Sequence, residues 1–351
     1  MKISSQFVAN VRAASSGADL LPLLQAAIEL EHATIPPYLC GYFTLKPGTN
    51  VDAAAIIRSV VIEEMLHLTI AGNLMVALGG KPVLNKPDFV PDYPGNLPMG
   101  IADHLQVRLR KCSVDQVRDV YMMIEEPEVT IDIPVVAAFV PEFDTIGAFY
   151  QSLSQKIQDL GQSIFIGDPS QQVVATRWFP DPDKMFPITD VARAVKGISL
   201  IIDQGEGTTT SPFDGSGAPA HYYRFQEIVV GRRLVEMPGA TPPFAFGGDP
   251  VVLDPVGVWD MDDDPRIDKY RPGSQSRRMA EQFNYSYTLL LNSLHQAFNG
   301  TPASLDHAMG LMYELRLLAH QVLSTPAVWA DPTRTTVAQT GLSFEYVPIN
   351  R

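Results

Sequence analysis

The segment 60–78, VVIEEMLHLTIAGNLMVAL, constrains this chain more than any other. It reads as one long helix. Val60, Glu64, His67, Ala71 and Leu74 recur at steps of three or four and share a face. Glu64 and His67 form Glu-x-x-His on that face, so a carboxylate oxygen and an imidazole nitrogen can reach one metal ion. Glu63 stands four before His67 and could take the place of Glu64, which leaves the pair ambiguous by one residue. Both flanks are apolar, which predicts a buried face, and a buried carboxylate is costly unless paired or metal-bound.

A second helix meets this one. Residues 15–45 carry Leu20, Leu21, Leu24, Ala27, Ile28 and Glu31 on or near one face, with Glu29 pointing roughly the other way. Pro36 and Pro37 are expected to kink or break it about a turn beyond Glu31. The turn KPGTN at 46–50 leads into the helix 51–78, ended by Gly79-Gly80, so the two helices are expected to be antiparallel neighbours with Glu31 brought towards Glu64 and His67.

Further along, 81–103 is proline-rich loop and 104–110, HLQVRLR, alternates as a short strand would. Ser113 caps a helix to about Ile124, which EEPE at 125–128 ends. Helices are expected at about 144–165, 189–206, 221–232, 277–299 and 304–323, with long loops at 167–187, 207–220 and 236–272. The 29 prolines and 25 glycines concentrate between helices, which predicts long ordered loops rather than a tight four-helix bundle. Glu206 closes one helix and His221 opens the next, so a returning loop could set them side by side; Glu227 and Glu281 are further acidic candidates. His295, His307 and His320 read as ordinary helix residues. Tyr38, Tyr150, Tyr222 and Tyr223 could line a redox pocket, with aromatic packing as the default.

Composition narrows the class. With 46% apolar and 19% charged residues the chain is globular. A net charge of −13 argues against nucleic acid and anionic membrane as partners. No apolar run reaches about 18 residues without a charge, so no membrane span is expected. Cys40 and Cys112 stand far apart, which fits a reducing, cytoplasmic compartment, gives no zinc ribbon, and leaves no Cys-x-x-Cys-His for haem. No dinucleotide fingerprint, P-loop or nucleophile elbow is present.

A carboxylate-bridged metal pair in a helical bundle needs single glutamates from two helices and Glu-x-x-His from two more. Oxygen and imidazole donors with open positions suit non-haem iron, with manganese as the alternative. The first half of that set is present in Glu31, Glu64 and His67.

AIELEHATIPPYL (27–39), VVIEEMLHLTIAGNLMVALGG (60–80), TIGAFYQSL (145–153), DQGEG (203–207), HYYRFQEI (221–228) and GLSFEYVP (341–348) together resemble the ferritin-like family of iminophenylpyruvate dimer synthase type, related to the ferritin-like parts of the bisindole-forming enzymes of violacein and rebeccamycin biosynthesis. The resemblance runs in order over nearly the whole chain. It implies a mainly α fold: one ferritin-like helical bundle over 1–351, with core helices at about 15–45, 51–78, 144–165 and 189–206, and additional helices and long ordered loops at 81–143 and 207–351. It implies a metal site of Glu31, Glu64 and His67 with Glu206 and His221 at the second-half positions, holding mono- or dinuclear iron. One departure stands out: in TIGxFY the family pattern has an acid where this chain has Ala148, which puts a second metal in question.

The expected function is a metal-dependent oxidoreductase acting on a small aromatic or amino-acid-derived substrate, such as the oxidative coupling of imines in secondary metabolism. Metal binding without an organic substrate, and a scaffold that has lost its metal, are the rivals. The partner expected is a small molecule, and a homo-oligomer is compatible with the sequence.

Overall fold

A computed structural model describes residues 2–100, 105–127, 144–174, 177–206 and 211–348; the side chains of Lys2, Ile3, Asp144 and Glu206 lie outside the description. The described residues form nine helices: α1 (Ser5–Ala13), α2 (Gly17–Thr44), α3 (Val51–Ala77), α4 (Val114–Gln116, a π turn Val117–Tyr121, and Met122–Ile124 in succession), α5 (Ile146–Leu160), α6 (Val191–Glu206), α7 (His221–Val230), α8 (Gln275–Phe298) and α9 (Ser304–Leu323). Two two-stranded antiparallel ribbons accompany them, Lys2–Ile3 with Asp144–Thr145 and Val235–Glu236 with Phe244–Ala245.

The hairpin of α2 and α3 is the axis of the molecule. Ser16 and Asp19 close a capping box at the start of α2. Contrary to the expected break, α2 runs unbroken through Pro36 and Pro37 to Thr44. Pro37 has no N–H to give the carbonyl of Ala33, and the Tyr93 hydroxyl donates to that carbonyl instead, at 2.7 Å. The proline's missing bond is thus made good by a side chain from the 81–103 loop. A further close fit holds the hairpin to α4: Tyr121 donates to the Pro37 carbonyl at 2.9 Å, and only glycine at 41 leaves room for that ring.

By length and composition α3 could cross a membrane, but 83% of its most apolar window is buried inside the fold, which accounts for the apolarity. On one side, α8 approaches so closely that a Cβ at Gly72 would meet the Phe298 ring. His32 on α2 pairs with the Tyr287 hydroxyl of α8 at 2.7 Å. On the other side lie α5, α6 and α7, and one apolar core runs from Val8 to Phe344.

The strand expected at 104–110 does not form over the described part of that segment. Val107 makes a single bridge to Gly95. The other backbone groups find loop and side-chain partners: Leu109 N–H donates to Asp264 Oδ1 and Gln116 Nε2 to the Arg108 carbonyl. The alternation instead reflects Leu105, Val107 and Leu109 turned into the core. The helix expected over 144–165 ends at Leu160, where Gly161 takes a left-handed φ of 74°.

Candidate metal centre

Helical rise alone sets the first ligands level. Glu31 lies 13 residues before the end of α2 at Thr44 (44 − 31), and Glu64 lies 13 after the start of α3 at Val51 (64 − 51). At 1.5 Å per residue both sit about 20 Å from the connecting turn, side by side. His67, one turn beyond Glu64, completes the group. Its Nδ1 is 3.6 Å from Glu31 Oε2 and 3.6 Å from Glu64 Oε1. Those gaps are too long for hydrogen bonds. All three side chains are buried.

A second group shares Glu64. Its other members are Glu125, at the end of α4, and His221, the first residue of α7. His221 Nδ1 is 2.9 Å from Glu64 Oε1 and 3.5 Å from Glu125 Oε2, yet it has no hydrogen-bond partner and is fully buried. An aromatic cluster of Tyr38, Tyr121 and Phe225 binds α2, α4 and α7 together behind these residues. In each group the ligand-forming oxygens and nitrogens lie within 4.8 Å of one another, and the two histidine rings stack at 5.5 Å.

The donor set fits a metal on a second count. The outer nitrogen of each histidine faces an oxygen acceptor: His67 Nε2 faces Gln204 Oε1 at 2.9 Å, and His221 Nε2 faces Glu63 Oε2 at 3.0 Å. An N–H donated outward leaves the Nδ1 lone pair turned inward, the arrangement that metal-bound histidines adopt. Arg224, one turn after His221, fixes Glu63 in turn at 2.8 Å. The Glu63/Glu64 ambiguity is thereby resolved in geometry: Glu64 faces both groups, and Glu63 stands behind His221. Each group also has a tyrosine on its carboxylate, Tyr150 on Glu31 Oε1 and Tyr38 on Glu125 Oε1, both at 2.5 Å. Thr34 donates to Glu64 Oε2 at 2.9 Å.

The electrostatics are those of three buried carboxylates packed together, Glu31, Glu64 and Glu125. Burial, reinforced by the Glu125 charge, pushes Glu64 up to about 7 against the pull of His221 and His67. Burial alone would lower His221, but Glu125, Glu63 and Glu64 hold it well above the ordinary histidine range. Burial opposes it, yet His221 and Arg224 hold Glu63 down at about 2. A cation between these groups would replace the protons that otherwise keep them together.

Glu31, Glu64, His67 and Glu125 line a cavity of about 30 Å³, room for about two water-sized molecules by the measure at which a single water needs about 10–15 Å³. Its remaining wall is Ile146, Gly147 and Tyr150 of α5 and Ile201, Ile202 and Gly205 of α6. Among the described residues, a Cβ added at Gly205 would meet nothing within 4 Å.

Of the expected residues, Glu31, Glu64, His67 and His221 come together. The Glu206 side chain lies outside the described residues; Glu125, expected only as a helix stop, joins Glu64 and Glu63 around His221. Its signal was available: it follows Val117, Val120, Tyr121 and Ile124 on an apolar helix, one turn after Tyr121. Ala148 does not line the cavity, and its amide caps onto Thr145 at the helix start. Glu227 is buried elsewhere, accepting from Arg233 and the Leu234 amide, and Glu281 pairs with Arg277 on the surface. Tyr223 belongs to a satellite cluster with Leu234, against which Tyr222 packs.

Comparison with known proteins agrees with this architecture. A family model described as ferritin-like matches residues 24–230, which include Glu31, Glu64, His67, Glu125 and His221. The crystal structure of a ferritin like protein from Caulobacter vibrioides superposes with a TM-score of 0.55 at 21% identity, covering 86% of this chain and 95% of that one. No curated protein matches the sequence.

Proposed function

On the premise that the chain belongs to the ferritin-like family, we propose that it is a non-haem metal oxidoreductase with a two-metal carboxylate centre. Glu31, Glu64 and His67 would hold one ion, Glu64, Glu125 and His221 the other, with Glu64 serving both. The observation that carries this reading is the pair of inward-facing Nδ1 atoms, each set by an oxygen behind its ring. Iron, or manganese, bound there would supply the activation of dioxygen or peroxide.

The chain's own residues account for the rest. Tyr150 and Tyr38 donate to the outer oxygens of Glu31 and Glu125 and hold those carboxylates in place, while burial and the adjacent carboxylates keep both phenols protonated. Ile146, Ile201 and Ile202 keep bulk water from the ligands. A cavity of about 30 Å³ admits an oxidant-sized molecule, whereas a cavity that takes benzene measures about 150 Å³. An aromatic substrate would therefore sit at the α5–α6 seam, outside the metal pocket, beside Gly147 and Gly205. The resemblance to the iminophenylpyruvate dimer synthase type favours a small imine derived from an aromatic amino acid. Joining two such imines releases two electrons and two protons, and peroxide would accept them to give two waters.

The test is to purify the protein without chelators, measure its metal by elemental analysis, and incubate it with phenylpyruvate or indolepyruvate imine and dioxygen or peroxide. Metal-loaded protein should form coupled product, and Glu64→Ala protein should form none. Ile202→Trp, which narrows the seam, should lower turnover while leaving the metal content unchanged. Full metal loading with no consumption of imine would leave metal binding as the function and remove the oxidoreductase reading.

A further inference from the structure

At the far end of the α2–α3 hairpin is a larger cavity, about 260 Å³, walled by the last turn of α2, the 45–50 turn, the start of α3, and α9. By helical rise its walls on α3, from Arg58 back to Val51, lie roughly 9 to 20 Å along the axis from Glu64 (six to thirteen residues), so it is separate from the metal centre.

Its chemistry is unlike the rest of a chain of net charge −13. Lys46, Arg58, Arg316 and His320 line it, and among the described residues no aspartate or glutamate does. Among the described residues neither Lys46, Arg58 nor Arg316 is in an ion pair with a carboxylate, whereas the neighbouring Asp52 is turned to Arg233. Lys46 is steadied by the Val256 carbonyl at 2.8 Å and lies over the Trp259 ring. Arg316 lies over the ring of Tyr42, 5.5 Å from its centre. His320 Nδ1 is buried without a hydrogen-bond partner. Tyr42, Phe43, Leu45 and Val51 supply an apolar side.

We propose that this pocket binds a small organic anion, a carboxylate or phosphate carried on an aromatic or other apolar body. The cations, unpaired with carboxylates among the described residues, favour an anionic head, and the Tyr42 side favours an apolar body. The volume exceeds the roughly 150 Å³ that takes benzene, so a substituted single ring or a bicyclic body fits.

Calorimetric titration of the full chain with phenyl phosphate, phenylacetate, inorganic phosphate and benzylamine tests this. One saturable site per chain is expected for phenyl phosphate or phenylacetate, and which of the two binds tighter identifies the head group. Affinity should fall as salt rises and drop about tenfold or more in Arg58→Gln/Arg316→Gln. Both arginines are solvent-exposed, so the variant should fold, as its melting curve will report. The His320 ring proton resonances should shift on saturation. Unchanged affinity in the folded double variant, no saturable binding, or equal binding of benzylamine would overturn the proposal. Inorganic phosphate binding as tightly as phenyl phosphate would overturn its apolar half.

Discussion

The two groups that share Glu64 are built by different means. The first comes from the interiors of two long helices joined by a short turn, so that regular rise places Glu31 beside Glu64 and one helical turn adds His67. The second comes from helix ends: Glu125 just past the last turn of α4, and His221 as the first residue of α7. A helix interior carries its ligands on its own hydrogen-bond ladder. A helix end depends on whatever packs around it, here Tyr38, Tyr121, Phe225 and the Arg224–Glu63 pair. The second group should therefore be the more easily disturbed.

The largest effect expected is at the shared residue. Glu64→Ala should abolish both sites, taking the metal content of chelator-free protein from two ions per chain to none. Glu31→Ala or His67→Ala should remove one ion and leave the other, and so should Glu125→Ala or His221→Ala. If Glu125→Ala keeps both ions, the second group is not a ligand set and the comparison collapses. The outer partners come next: Gln204→Leu behind His67 and Glu63→Gln behind His221 should each weaken metal binding about 10- to 100-fold at its own group, read by competition with a chelator.

Much of the first group was legible in the sequence, because periodicity is what a long buried helix imposes on its residues. Glu31 inside an apolar stripe and Glu64 with His67 on one face stood out for that reason. The second group left a weaker trace. A π turn at Val117–Tyr121 interrupts the regular spacing of α4, and EEPE looks like a stop signal, although its first glutamate is buried. Glu206 is expected to face His221 because both flank one loop, and its side chain lies outside the described residues; Glu125 reaches His221 from a distant helix end, which closeness in sequence does not reveal. The continuity of α2 through Pro36 and Pro37 was hidden for a similar reason, since the group that relieves Pro37 is Tyr93, far along the chain.

Two smaller effects probe the support behind the second group. Alanine at 41 would favour helix by about 1 kcal/mol, but its Cβ would collide with the Tyr121 hydroxyl. Gly41→Ala should cost about 1–3 kcal/mol in denaturant unfolding and should loosen the Glu125–His221 ion before the Glu31–His67 one. Cys40 and Cys112 adjoin Tyr121, and burial holds the Cys112 thiol up at about 12 and that of Cys40 well above its ordinary value. Neither should react with an alkylating reagent at pH 8 while the chain is folded, and both should react on unfolding. Labelling of Cys112 ahead of global unfolding would show α4 opening by itself.

The most direct test is an anomalous-difference map from crystals of the protein loaded with iron or manganese. Two peaks are predicted, on either side of the Glu64 carboxylate, one against Glu31 and His67 and one against Glu125 and His221. A single peak that ignores Glu125 and His221, or no peak at Glu64 in protein shown to contain metal, would contradict the account.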